Sequence, residues 1–265
     1  MELYQLTILA LVQGVTEFFP ISSSGHLVII SKVLGWSDQG LTIDIALHFG
    51  TLGAVLVYFW RDLWQMLLGL GRLCLGIPNA HSKRAINLLV ATTPVALLAF
   101  FARDQVEAYF RNLEVIAWAT LGFGILLWIA DKVTLTIHRC DDLKFFHALF
   151  IGVAQVLAFI PGTSRAGITI TAGRLLSMDR AEAARFSMLL SIPTIAGISA
   201  VSALELYQQE NITIQMEALI AVGLSFIAGL IAIATLLRWL SHSSFTPFVV
   251  YRLILGGGLL FMVYS

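Results

Sequence analysis

Two short polar segments interrupt long apolar stretches of this chain and carry its most reactive side chains. They are Pro20-Ile21-Ser22-Ser23-Ser24-Gly25-His26 and Pro161-Gly162-Thr163-Ser164-Arg165-Ala166-Gly167, about 141 residues apart. In so apolar a sequence, hydroxyls, an imidazole and a guanidinium are costly unless partnered, and that cost marks a site. A serine hydroxyl becomes a nucleophile when an imidazole within hydrogen-bond reach takes its proton. The short gap across Gly25 is expected to bring Ser23 and His26 together. The competing role for Ser22, Ser23 and Ser24 is N-capping, in which a hydroxyl satisfies free backbone N–H groups without any chemistry. Glu17 precedes this tip and Gln13 lies one helical turn earlier, so both project from one helix face. The carboxylate is placed to hold a divalent cation or to move a proton. The amide can coordinate or hydrogen-bond but cannot act as a base.

The second tip holds Arg165, at a depth where an arginine costs roughly 2.5 to 3.5 kcal/mol. Its planar guanidinium fits phosphate oxygens bidentately, and a helix starting just after the tip adds free N–H groups and a positive dipole end. With Gly162 and the hydroxyls of Thr163 and Ser164, this reads as a phosphate cradle in preference to a structural ion pair with Glu17. Asp44 and His48 read as a surface pair, and Arg252 as a helix anchor or a partner of lipid phosphate. Gly256-Gly257-Gly258 lacks the strand context of a nucleotide loop and is read as a close-packing segment.

Those tips must be positioned by membrane helices. Of 265 residues, 58% are hydrophobic and 12% charged, and mean hydropathy is +0.87, far from a soluble domain with about a quarter of its residues charged. The formal net charge is zero, so no global field favours nucleic acid. Cys74 and Cys140 have no spacing that suggests a disulfide framework or zinc site. Met1-Glu2-Leu3-Tyr4-Gln5 lacks the basic start of a signal peptide, so the first helix is expected to remain.

Six stretches approach the roughly 20 apolar residues that span a bilayer: 41–60, 84–102, 114–131, 185–205, 217–237 and 247–264. Two further regions, 3–35 and 145–177, each pair an apolar arm with a polar tip and a second arm too short to cross. Proline at each tip disfavours helix just before it, so each region is predicted to enter and return as a re-entrant hairpin, tolerated where protein or a wet cavity surrounds it. The expected fold is all-α: one polytopic membrane domain, 1–265, with six transmembrane helices and two re-entrant helix-loop-helix hairpins. Its repeats are 1–131 and 145–265. Three crossings per repeat is an odd number, so the repeats are expected to be inverted, both tips pointing to the midplane. The tips align with Ser23 opposite Ser164 and Ser24 opposite Arg165.

Basic residues set the orientation. Arg61, Arg72, Lys83, Arg84, Lys132, Arg139, Lys144, Arg174, Arg180, Arg185 and Arg238 fall on one side, expected to be cytoplasmic, and only Lys32, Arg103 and Arg111 on the other. Both termini then face outward. The sequon Asn211-Ile212-Thr213 carries no weight, being common by chance.

At these tips the chain resembles the bacitracin-resistance type of undecaprenyl-diphosphate phosphatase. The matching pieces are Gln13-Gly14-Val15-Thr16-Glu17-Phe18-Phe19-Pro20-Ile21-Ser22-Ser23-Ser24-Gly25-His26 and Pro161-Gly162-Thr163-Ser164-Arg165-Ala166-Gly167-Ile168-Thr169, with Thr246-Pro247-Phe248-Val249-Val250-Tyr251-Arg252 near the end. The resemblance implies hydrolysis of undecaprenyl diphosphate to the carrier-lipid monophosphate, for reuse in cell-wall synthesis, in the inner membrane. It also implies a divalent cation, Mg²⁺ or Ca²⁺, an outward-facing site and resistance to bacitracin. By that resemblance Gln13 and Glu17 match the family's Glu/Gln-x-x-x-Glu motif and its metal site, with Gln13 contributing one charge fewer than the glutamate many members carry. Ser23 and His26 match the proposed nucleophile and its acid/base partner, and Arg165 the arginine that binds diphosphate. Ala166 stands where many members have serine, which argues against an essential hydroxyl there.

The expected substrate slides between helices with its polyprenyl tail in hydrocarbon, so lipid is the expected partner; a homodimer is left open. Arg165 and a cation on Glu17 neutralise the transferring phosphoryl group. Either Ser23 attacks with His26 as base, or His26 activates water. A lipid transporter or flippase is the rival reading, since inverted repeats with broken helices suit one equally well.

Overall fold

The computed structural model describes residues 2–36, 40–110, 112–134, 140–208 and 216–265, leaving aside the side chains of 31–33, 100, 102–110, 141 and 205–208. Among the described residues the chain forms eleven α-helices and no strand: α1 (Leu3–Thr16), α2 (Ser23–Val33), α3 (Leu41–Tyr58), α4 (Trp60–Cys74), α5 (Ala80–Phe110), α6 (Leu113–Val133), α7 (Phe145–Val156), α8 (Arg165–Leu175), α9 (Arg180–Gln208), α10 (Met216–Leu240) and α11 (Thr246–Tyr264). Both predicted hairpins are present, as α1–tip–α2 and α7–tip–α8. The second has an extra 3₁₀ turn, Leu157–Phe159, before its tip.

Five described helices are long and apolar enough to cross a bilayer: Leu41–Tyr58, Leu113–Val133, Arg180–Leu204, Met216–Leu240 and Thr246–Tyr264. The chain is therefore an all-α polytopic membrane protein. The remaining predicted crossing, 84–102, lies inside α5, a 31-residue helix with Pro94 in its interior. The 41–60 crossing stops at Tyr58, and a separate helix, α4, follows that the hydropathy reading missed. It exposes Trp60, Trp64, Leu67 and Leu68 and buries Met66, an amphipathic pattern that average hydropathy hides. Lys32, Arg103, Arg111 and Arg139, used for orientation above, lie outside the described residues or side chains, as does the 211–213 sequon.

Helix contacts follow a pattern that occurs twice. α1 packs on α10 as α7 packs on α5, and α3 packs on α10 as α9 packs on α5; α3 also meets α9, and α6 meets α11. Close approach depends on small residues: a Cβ on Gly14 of α1 would stand 2.4 Å from the Ala228 Cβ of α10.

Two ionic clusters tie helix ends together. Asp62 accepts from Arg84 at 3.1 Å and Arg185 at 2.6 Å, joining α4, α5 and α9. Buried Asp131 of α6 meets Arg174 of α8 at 3.2 Å and Arg180 of α9 at 2.7 Å. Cys74 closes α4, exposed, while buried Cys140 donates its thiol to the Glu182 carbonyl at 3.2 Å. Burial first, then the Glu182 charge, push that thiol well above its usual pKa, so it stays neutral.

Candidate functional site

The two tips share one local construction. Ser22 and Ser164 both sit at positive φ, 74° and 71°, a strained conformation for a residue with a Cβ. Each is the N-cap of the helix that follows: Ser22 Oγ accepts from the Gly25 N–H at 3.4 Å, and Ser164 Oγ from the Gly167 N–H at 3.0 Å. This corrects the alignment by one residue: Ser22 is opposite Ser164, and Ser23 opposite Arg165. The two reactive side chains thus occupy the first helical position of α2 and α8. Both caps satisfy the third N–H of their helices, while the amides at the first two positions have no hydrogen-bond partner among the described residues and are available to an anion.

Of the residues predicted to hold substrate, Ser22 and Ser164 are therefore buried caps. Ser24 is exposed and lies 3.5 Å from Ser22 Oγ. Gly162 has a φ of +95°, and a Cβ there would approach the Ile116 carbonyl of α6 to 2.5 Å, so glycine is what lets the second tip lie against α6. Thr163 is wholly buried, and its hydroxyl has no hydrogen-bond partner among the described residues.

What holds the tips together is Arg252 of α11, which is fully buried within the protein. Its Nε donates to the Thr120 carbonyl at 3.0 Å. Nη1 donates to the carbonyls of Pro20 at 3.1 Å and Thr163 at 3.0 Å. Nη2 donates to those of Ala119 at 3.3 Å and Gly162 at 2.9 Å. Five donors meet five carbonyls, from the first tip, the second tip and α6. The reading of Arg252 as a lipid-phosphate partner is corrected accordingly.

With the tips fixed, Glu17 becomes the meeting point. Its Oε1 accepts from Arg165 Nη2 at 2.8 Å, and its Oε2 accepts from Ser23 Oγ at 2.8 Å and Gln13 Nε2 at 3.1 Å. Arg165 also donates to the carbonyls of Glu17 at 3.3 Å and Ser187 at 3.1 Å. The ion pair set aside in the sequence reading is therefore formed. It leaves the Arg165 Nε–H and one Nη1–H without a partner among the described residues, two donors suited to an incoming anion. Ser23 and Arg165, one from each tip, stand on the two oxygens of a single carboxylate, a separation one phosphoryl group can bridge.

His26 does not join them. Its Nδ1 lies 2.6 Å from the Ser22 carbonyl and its Nε2 2.5 Å from the Tyr251 hydroxyl. The predicted Ser23–His26 contact is thus replaced by Ser23–Glu17, because in α2 the imidazole reaches back one turn to the Ser22 carbonyl. Tyr251 and Arg252 escaped the sequence reading as site residues. The signals were adjacent Tyr and Arg inside an otherwise apolar helix and the place of both in the Thr246–Arg252 segment that shares the family resemblance. Asp44 and His48 are linked through the Asp44 carbonyl, 2.8 Å from His48 Nδ1. Gly256 packs α11 against Leu121 of α6, as a small residue in a membrane helix does.

The chain matches the family model for the bacitracin resistance protein BacA over residues 6–258, a span that includes both tips and the Tyr251-Arg252 pair. The chain belongs to the BacA family. It is 45% identical to an undecaprenyl-diphosphatase of Jannaschia sp. (strain CCS1), over the full length of both chains. It is 42% identical to undecaprenyl-diphosphatase 1 of Rhodospirillum rubrum, with all of this chain and 96% of the relative covered. It is also 42% identical to an undecaprenyl-diphosphatase of Saccharophagus degradans, over all of this chain and 99% of that one. For a BacA-family chain, the match therefore covers every residue that meets at Glu17.

Proposed function

We propose that this chain is an integral membrane phosphatase that hydrolyses undecaprenyl diphosphate to undecaprenyl phosphate and inorganic phosphate, recycling the carrier lipid for cell-wall synthesis and conferring bacitracin resistance. The observation that carries this reading is the Glu17 carboxylate holding Ser23 and Arg165 at once, between two helix N-termini, inside a membrane protein of the BacA family. A carrier needs binding groups; a hydroxyl resting on a carboxylate is what nucleophilic attack needs.

In this mechanism the diphosphate enters between the tips, with its tail in hydrocarbon. The spare N–H groups of Arg165 and the free amides at the starts of α2 and α8 bind the terminal phosphoryl oxygens and stabilise the charge that spreads over them. Ser23 Oγ attacks the terminal phosphorus, its proton passes to Glu17 Oε2, and the bond to the bridging oxygen breaks to release undecaprenyl phosphate. Glu17 gives that proton to the departing undecaprenyl phosphate. Water then attacks the phosphoserine, its proton passes to the freed Glu17 carboxylate and on to Ser23 Oγ as the Ser23–phosphorus bond breaks, and inorganic phosphate leaves. Direct attack by water uses the same residues.

The donor set fits a hard divalent cation. Gln13 Oε1 is buried without a partner among the described residues, and its amide already touches Glu17 Oε2. Carboxylate, amide and hydroxyl oxygens suit Mg²⁺ or Ca²⁺. When bound, such a cation neutralises phosphate charge; Gln13, Glu17 and Ser23 are the residues that would hold it.

The twice-occurring helix contacts support reading 1–131 and 145–265 as inverted repeats. The basic-residue asymmetry supports termini and active-site opening on the outer face. The same repeats suit a lipid flippase. Purified protein in liposomes, supplied with undecaprenyl diphosphate, separates the two: release of inorganic phosphate that stops with chelator supports the phosphatase, whereas lipid translocation without phosphate release refutes it.

A further inference from the structure

The α4 helix carries three kinds of side chain, each on its own side. One side turns toward the protein: Met66 and Gly69 are buried, and Asp62 holds Arg84 and Arg185. Trp60, Trp64, Leu67 and Leu68, with Leu75 at the C-cap, fall on one arc of the helix as a stripe, each more than half exposed. Arg61 and Arg72, both exposed, follow along one edge of that stripe. The Arg61 guanidinium lies over the Trp60 ring, 5.3 Å from its centroid.

The neighbouring helices fix where α4 lies. α3 ends its crossing at Tyr58, and Phe59 breaks the helix with a φ of −100° and a ψ of 20°. At 15 residues α4 is about 22 Å long, short of a crossing. Asp62 and Gly69 are about 10 Å apart along its axis, yet both meet the first residues of α5. Asp62 accepts from Arg84, and a Cβ on Gly69 would stand 2.7 Å from the Ser82 nitrogen. α4 therefore runs across the foot of α5, at the level where the α3 crossing ends, and its stripe continues the exposed apolar surface of Val57 and Tyr58. Tryptophans and leucines on one arc with arginines on its rim are the pattern of a helix lying in a bilayer interface. Asp62 is the one acidic residue of α4 and is taken up by its ion pairs, so nothing within the helix offsets Arg61 and Arg72. The rim is cationic.

We propose that α4 is an in-plane docking surface for an anionic bilayer face, its tryptophan and leucine stripe among the upper acyl chains and Arg61 and Arg72 on phospholipid phosphates. The inference stands apart from the phosphatase reading. The test uses the full chain in vesicles, with a bimane label on Cys74, which is exposed at the end of α4; Cys140 is buried with its thiol on the Glu182 carbonyl. Quenching is compared for brominated phosphatidylglycerol and brominated phosphatidylcholine at equal mole fraction, and for aqueous iodide. Both lipids should quench the label and iodide should not. Phosphatidylglycerol should quench at least about twofold more strongly, since each arginine favours an anionic surface about fivefold. Arg61→Gln combined with Arg72→Gln should bring that ratio to about one, as should high salt on the unaltered chain, which screens the same charges without any substitution. Strong quenching by iodide with none from lipid overturns the proposal and leaves the stripe facing water. Equal quenching by the two lipids in the wild type overturns it as well, and so does a phosphatidylglycerol excess that survives both the substitutions and the salt.

Discussion

Replacing Arg252 by leucine removes the side chain that bonds the backbone of both tips. Five N–H donors are lost at a position with no exposed surface, leaving the carbonyls of Pro20, Ala119, Thr120, Gly162 and Thr163 without that partner. At about 1 kcal/mol net per bond, the loss is about 5 kcal/mol, comparable to the whole stability of many proteins. Lysine keeps the charge but offers three donors in a compact head, so at least two carbonyls lose their partner and the cost is about 2 kcal/mol. Reversible unfolding in mixed detergent, followed by tryptophan fluorescence, should rank wild type above Arg252→Lys and that variant above Arg252→Leu. Phosphate release should fall in the same order, since Ser23 and Arg165 meet only when the tips do. An Arg252→Leu protein within about 1 kcal/mol of wild type would refute the clamp, because five net bonds cannot vanish without trace.

Three further outcomes follow from the same geometry. Gly162→Ala forces a Cβ to within 2.5 Å of the Ile116 carbonyl at a φ of +95°, and should cost about 2 kcal/mol or more in the same unfolding measurement. Ser22→Ala should cost about 1 kcal/mol as a lost N-cap, while phosphate release at low temperature stays within a fewfold of wild type. Gln13→Glu places a second carboxylate beside Glu17, which Gln13 now meets at 3.1 Å, and should lower the Mg²⁺ or Ca²⁺ concentration for half-maximal activity about tenfold in chelator-buffered titrations.

Much of the architecture was legible in the sequence because hydropathy and proline act locally. Both hairpins and five of the crossings appear close to their predicted bounds, since twenty apolar residues in a row have few alternatives. α4 was not legible because its Trp60, Trp64 and Met66 alternate faces, and an averaged window blends them into the preceding crossing. At the site, the residue types at Glu17, Ser23, His26 and Arg165 drew attention by their chemistry, but their pairing did not follow from spacing. His26 is near Ser23 in sequence, yet helical geometry turns its ring to the Ser22 carbonyl. Glu17 reaches Ser23 only because the chain folds back through Phe19 and Pro20. The bonds of Arg252 run across more than 80 residues to backbone carbonyls, which every residue possesses and no motif records. Aligning the tips on Pro20 and Pro161 misplaced the register by one; the capping serines give the structural equivalence.

The central claim is that one carboxylate gathers a hydroxyl from the first tip and a guanidinium from the second around a single phosphoryl group. Its most direct test is inorganic phosphate release from undecaprenyl diphosphate by purified wild type, Ser23→Ala, Glu17→Gln and Arg165→Ala, each verified as folded. We expect every single replacement to lower kcat/KM by at least about a hundredfold. Wild-type rates in all three variants would contradict the account.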